Sequence, residues 1–296
     1  MILLFCRRLG RLPAILAMVL PLSLATARAQ DVLSERLTDQ IVQMHRLDLN
    51  RRLQSDFEEK KQSLGNEETA ERAGSLRALL LSRASTYELL DEFDRAEADY
   101  DALLAIKPLN PMVYSDRAYF YMRQSRYSEA VRDFMTGSRL VPTQAAFNYG
   151  AGRALTRMGA YAQAVEQYNE AIRLAPSDSV PVLSRGEALI QLGKYADARA
   201  DFDRALALGL RRGDDRFFVY FGRGYADIFI GDFAGAVEDM DAALTARPDM
   251  VNAVVWRGYA REKMGQRRRA LDDYETALRL SPKDGWIRSS ISRVRS

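Results

Sequence analysis

From about Arg77 to Asp284 the chain alternates helix-length segments, in which apolar residues recur at three- and four-residue steps, with polar breaks carrying glycine or proline. That period predicts amphipathic helices joined by tight turns. One segment departs from the single apolar stripe of an ordinary surface helix. "RFFVYFGRGYADIF", Arg216 to Phe229, sets six aromatic residues in fourteen positions of a chain that is 9% aromatic. Upstream, Leu33, Leu37, Ile41, Met44, Leu53 and Phe57 predict one or two further amphipathic helices between Asp31 and about Gly74. At the other end "DGWIRSSISRVRS" places Trp286, Ile287, Ile291 and Val294 on one face of a helix that packs on the unit before it.

The helical segments repeat. "RAEADYDALLAIKP", "EAVRDFMTGSRLVP", "QAVEQYNEAIRLAP", "DARADFDRALALGL", "GAVEDMDAALTARP" and "RALDDYETALRLSP" align without gaps on Ala96, Ala130, Ala164, Ala198, Ala236 and Ala270, spaced 34, 34, 34, 38 and 34 residues apart. Twelve positions before each alanine stands a small residue: Ala84, Ala118, Gly152, Gly186, Gly224 and Gly258. Small residues at both places let paired helices approach, and Tyr100, Phe134, Tyr168, Phe202, Met240 and Tyr274 fill the wider gap between them. Pro108, Pro142, Pro176, Pro248 and Pro282 stop the second helices. Leu210 stands at that place in the fourth unit, and "GDDR", Gly213 to Arg216, inserts four residues before the fifth.

Period, small positions, ring and proline recurring together resemble the tetratricopeptide repeat. The fold expected is an all-α solenoid of six helix-turn-helix repeats, 77–110, 111–144, 145–178, 179–216, 217–250 and 251–284, between an N-terminal helical cap at 30–76 and a capping helix at 285–296. The resemblance implies a right-handed superhelix whose concave groove, lined by the first helix of each repeat, binds peptides or protein segments. In that register Phe217 and Tyr220 face the partner helix, and Phe218, Phe221, Tyr225 and Phe229 form a second stripe toward the groove. Candidate groove residues elsewhere are Tyr119 and Met122, then Tyr149, Arg153 and Arg157, then Trp256 and Tyr259. Rings supply contact area and arginine can pair with acidic groups or a terminal carboxylate. The competing reading buries these rings as core.

Comparing the repeats with one another exposes a correlation. The residue before the small position is Arg83, Arg117, Ala151, Arg185, Arg223 and Arg257, and sixteen residues on stand Asp99, Asp133, Gln167, Asp201, Asp239 and Asp273. Arginine and aspartate occur together and are lost together, which predicts a charge-assisted pair between the two helices of a repeat.

The first 29 residues read as a cleavable export signal. Arg7, Arg8 and Arg11 precede "LPAILAMVLPLSLA", and Ala27 and Ala29 supply an A-x-A site with cleavage after Ala29. The alternative, an uncleaved anchor, is opposed by an apolar run of ~14 residues where ~20 are needed to span a bilayer. The leader also holds Arg28 and no acid, so its removal takes the 43 basic residues to 39 against 40 acidic. The basic footprint expected of a nucleic-acid-binding protein goes with it. Cys6, the only cysteine, lies in the leader, and His45 is the only histidine. A histidine-based triad, a two-histidine zinc site and a cysteine nucleophile are therefore unsupported. No catalytic residue, metal or cofactor is expected. "YGAGRALTRMG" carries its glycines at repeat positions, with no strand before them to make a dinucleotide site, and the Arg212–Asp214 tripeptide falls in the insertion.

The function expected is that of a non-catalytic scaffold or adaptor, exported to the bacterial periplasm or secreted, which binds a protein or peptide partner. The alternative is a regulatory or targeting subunit of a cell-envelope enzyme or an assembly or secretion complex. Self-association through the N-terminal helices is a further possibility for 30–76.

Overall fold

The computed structural model describes residues 27–63, 70–106, 109–210 and 215–296. The expected leader up to Thr26, Pro108 and the Arg212–Asp214 tripeptide lie outside the described residues. Fourteen helices and no strand occur among the described residues. They form two compact units that divide after Glu92, between the two helices of the first repeat.

The first unit holds α1 (Ala27–Ser63) and α2 (Ala70–Leu89). Phe57 is buried, as are Leu80, Ala84 and Tyr87 of α2. The Arg83 guanidinium lies 3.5 Å over the Phe57 ring, and Arg46 pairs with Asp91 at 2.7 Å. Met44, expected on an apolar face, is instead 63% exposed, with Val42, Leu47 and Leu49 also exposed. The stretch read as one or two helices is a single long helix followed by an extension that starts α2 seven residues ahead of Arg77.

The second unit begins with α3 (Phe93–Ile106), the second helix of the first repeat. Helix pairs follow: α4 (Pro111–Arg123) and α5 (Tyr127–Leu140), α6 (Ala145–Arg157) and α7 (Tyr161–Leu174), α8 (Ser179–Gln191) and α9 (Tyr195–Leu208), α10 (Asp215–Ile230) and α11 (Phe233–Ala246), α12 (Val251–Lys263) and α13 (Arg267–Leu280). α14 (Gly285–Arg295) closes the stack. Each helix packs on the next in sequence, and the first helices also touch one another in the order α6, α8, α10, α12. That puts the first helices on the tighter, inner side of the stack.

Local chemistry sets the ends. α5, α7, α11 and α13 stop two residues before a proline, and the residue preceding each proline leaves the helical region with ψ between 73° and 91°, as the proline ring disfavours helical backbone there. Between the helices of every repeat one residue adopts positive φ: Asp91, Ser125, Gly159, Gly193, Gly231 and Gly265. α10 starts at Asp215, so it draws two residues from the expected insertion.

The gap fillers behave as their positions demand: Phe134, Tyr168, Phe202, Met240 and Tyr274 are no more than 1% exposed. Two of them also shape the next repeat. A Cβ added to Gly150 would lie 2.5 Å from the Phe134 ring, and one on Gly222 would lie 2.5 Å from that of Phe202. The same position carries Ser184 after Tyr168, and Trp256 where the filler is the slimmer Met240. Ring and recess are thus matched in volume across repeat boundaries, as close-packed interiors require.

The expected charge pairs form in four repeats and go further than a pair. Arg117 Nε donates to Asp133 at 2.7 Å, Arg185 to Asp201 at 2.7 Å, Arg223 to Asp239 at 2.8 Å and Arg257 to Asp273 at 3.1 Å. A second guanidinium nitrogen reinforces each contact. Nη1 of the same arginine then reaches back to the preceding repeat's second helix: Asp101, Asn169, Asp203 and Asp241, each at 2.6 Å. One side chain therefore ties three helices. Where Ala151 and Gln167 replace the pair, the third member is Met135, so the arginine and both of its acceptors are missing at one boundary. That boundary is closed by rings on glycines, Phe134 on Gly150 and Phe147 on Gly137. The first-repeat pair, Arg83 and Asp99, has its members in different units.

Candidate functional site

The aromatic helix α10 builds a ladder. Phe217 is buried, and Phe221 stacks on it with centroids 5.6 Å apart and planes within 16°. Tyr225 follows at 6.3 Å and Phe229 at 4.9 Å, each one helical turn on. From Tyr225 the ladder crosses to α12, where Trp256 meets it edge-on at 5.1 Å and Tyr259 lies 5.7 Å beyond. Trp286 of α14 approaches Trp256 at 6.4 Å. On the other side Tyr195, first residue of α9, stacks on Phe229 at 4.4 Å.

The ladder is core on one side and surface on the other. Phe221, Tyr225, Trp256 and Tyr259 are half-buried against the cluster of Phe217, Ile228 and Met240. Phe218, Phe229 and Trp286 are 43%, 47% and 44% exposed. Burial, with Tyr195 alongside, raises the Tyr225 phenol above its ordinary range. Sequence reasoning put Trp286 on the buried face of α14. Ile287, Ile291 and Val294 occupy that face, and Trp286, a hundred degrees round the helix from Ile287, projects from it. Tyr195 carried no signal as a member, because it opens a second helix at a position otherwise used for packing.

The remaining expected residues lie apart from the ladder. Tyr119 packs edge-on against Phe134 at 5.1 Å and Tyr149 against Tyr168 at 6.1 Å, each on the filler ring of its own repeat. Arg153 lies 5.8 Å over the Tyr149 ring, and both Arg153 and Arg157 are exposed. Cations also sit on the ladder's ends, Arg247 at 5.0 Å from the Phe218 centroid and Lys263 at 5.2 Å from that of Tyr259.

Beside Phe229, α10 buries a carboxylate. Asp227 is 2% exposed in the position that Tyr121, Leu155 and Leu189 fill in earlier repeats, and Arg199 Nε lies 3.0 Å from its Oδ1 in poor hydrogen-bond alignment. Burial pushes its pKa up to about 6; Asp239 and Asp232 add to the rise, while Arg199 and Arg223 oppose it. The ordinary value is about 3.9. Between those values the folded chain holds the proton more firmly than the unfolded chain, so this group makes stability fall as pH rises from about 4 to 6. Asp227→Asn is expected to raise the urea midpoint at pH 7 and leave it nearly unchanged at pH 4. A midpoint shifted equally at both would show that the carboxylate is not strained.

Among the described residues no group of three or more His, Cys, Asp or Glu is placed to hold a metal ion, and no helix is long and apolar enough to cross a membrane. His45 is exposed on α1.

Solved structures share this architecture. YrrB, described as a TPR protein with an unusual peptide-binding site, aligns with TM-score 0.58 at 18% identity over 67% of this chain and 98% of its own. PilW, described as a type IV pilus biogenesis factor, gives 0.57 at 15% identity over 75% and 99%. MamA from Desulfovibrio magneticus RS-1 gives 0.54 at 18% over 59% and 97%. At these identities the likeness is one of fold. No curated protein matches the sequence. The family model described as Tetratricopeptide repeat matches residues 81–144, 115–179, 183–220 and 221–285. Matched over more than half its length, with the paired helices, small contacts and filler rings in register, the chain belongs to the tetratricopeptide repeat family.

Proposed function

We propose that this chain is a non-catalytic interaction scaffold that binds an extended segment of a partner protein across the ladder of the fifth and sixth repeats. The observation that carries this is the continuity of the ladder: half-buried rings packed on the core, with Phe218, Phe229 and Trp286 exposed beside them. Rigid aromatic surface of this kind gives binding area at small entropic cost. The fold YrrB shares, described by its peptide-binding site, supports the reading. The leader pattern of residues 1–29 supports export to the periplasm as part of the same proposal.

The only tryptophans, Trp256 and Trp286, both stand in the ladder, so their emission reports on it directly. Peptides selected on the purified chain from a random dodecamer display library are expected to shift that emission. Phe218→Ser combined with Phe229→Ser, two exposed rings whose loss leaves the helices intact by circular dichroism, is expected to abolish the shift. Selected peptides that bind the folded double variant unchanged would place binding elsewhere.

A further inference from the structure

Charge is segregated between the two layers of the stack. The inner layer of first helices, α4, α6, α8, α10 and α12, carries ten basic and five acidic residues. The outer layer, α3, α5, α7, α9, α11 and α13, carries ten basic and seventeen acidic. The three-helix ties account for part of this, since their arginines are inner and their carboxylates outer. They do not account for Arg153, Arg157 and Lys263, which are exposed on inner helices outside the ties, Lys263 beside its sequence neighbour Glu262. Two inner carboxylates at the ladder are already engaged, Asp227 buried beside Arg199 and Glu262 held by Arg293 at 2.7 Å, while Glu187 of α8 is exposed and acts with Arg153 on Tyr149. What the ladder and its ends offer a ligand is rings and cations.

We propose that the partner segment is acidic, with apolar or aromatic side chains among its Asp and Glu residues. The proposal rests on the ladder as the binding surface and adds the chemistry of its occupant. Apolar side chains would lie on Phe218, Phe229 and Trp286, and carboxylates would meet Lys263 at one end and Arg153 and Arg157 of the third repeat farther along. Lys263, already placed over the Tyr259 ring, keeps its ammonium at the ladder's edge. Such charges act mainly on the rate and salt dependence of association.

The test uses three acetylated, amidated dodecapeptides with phenylalanine and leucine at alternate positions and glutamate, glutamine or lysine between them, beside a dodecamer of deoxythymidine. Binding to the full chain is read by tryptophan emission and calorimetry at about 50 mM and about 300 mM salt, on either side of the range in which screening becomes strong. The glutamate peptide is expected to bind at least about tenfold more tightly than the glutamine peptide at low salt, with the advantage shrinking at high salt. Arg153→Glu and Lys263→Glu are expected to erase most of that advantage. If the glutamine or lysine peptide binds as well, and the Phe218→Ser, Phe229→Ser variant still loses it, the acidic partner is refuted while the ladder stands. Tighter binding of the oligonucleotide would refute an acidic protein segment in favour of a nucleic acid. If no probe perturbs either tryptophan, both readings fail.

Discussion

Arg185→Met is expected to lower the unfolding free energy by about 3–5 kcal/mol, the cost of leaving a buried charge without its partner. Asp201 is 4% exposed on α9 and receives two guanidinium bonds. Methionine fills the arginine's stem volume but returns neither bond, and Asn169 on α7 loses its donor as well. Replacing both partners, Arg185→Met with Asp201→Leu, is expected to recover most of the loss, because two apolar groups in that space need no desolvated charge. A double-mutant cycle by urea denaturation measures the coupling. Strict additivity would refute the tie. An internal contrast comes from the exposed pair of Arg173 with Glu170, whose removal is expected to leave the midpoint where it was. Since each repeat touches mainly its neighbours, losing the tie between α7, α8 and α9 should also broaden the transition, as repeats on either side begin to unfold separately.

The contrast between Arg185 and its third ligand shows what was legible. The Arg–Asp correlation could be read because both members vanish together at Ala151 and Gln167, and the structure places them as expected in four repeats. The third ligand obeys the same rule, with Met135 where the others are Asp101, Asn169, Asp203 and Asp241. It went unseen because the comparison stayed within a repeat, whereas Nη1 reaches across the boundary. Local pattern encodes contacts within a helix pair, and contacts between pairs need residues compared one repeat apart. The aromatic helix shows the same division. Periodicity separated Phe217 from Phe218 and Phe221, and burial follows that separation. It could not tell exposed from buried rings along the second stripe, since Phe221 and Tyr225 pack half-buried on the core cluster while Phe218 and Phe229 are exposed. Asp227 was invisible for a different reason. Its burial follows from occupying a position that apolar or tyrosine side chains fill in the other described repeats before it, and nothing around it in sequence marks the substitution.

Gly150→Ala tests the boundary that has no arginine tie, where Ser138 donates to Asn148 at 3.0 Å. Alanine is the better helix former by about 1 kcal/mol, so helix propensity alone predicts a gain. The geometry predicts a net loss of about 2–3 kcal/mol, the scale of overpacking a filled core. The added methyl would stand 2.5 to 2.7 Å from three carbons of the Phe134 ring, and that ring is 1% exposed with Tyr119 edge-on against it. Neither ring nor helix can yield without disturbing both neighbours. The fifth and sixth repeats suggest the remedy, since the unbranched filler Met240 accompanies Trp256 at the position equivalent to Gly150. Phe134→Leu alone is expected to destabilise by opening a cavity, yet combined with Gly150→Ala it should cost clearly less than the sum of the two changes. The turn glycine Gly159 supplies the control: its Cβ would meet nothing within 4 Å, but its φ of +76° strains any other residue. Gly159→Ala should therefore lose about 1–2 kcal/mol in a way that Phe134→Leu cannot rescue. A neutral Gly150→Ala, or an additive double variant, would show that the third repeat is held against the second by something other than ring-to-glycine contact, and the absence of the arginine tie at that boundary would be left without compensation.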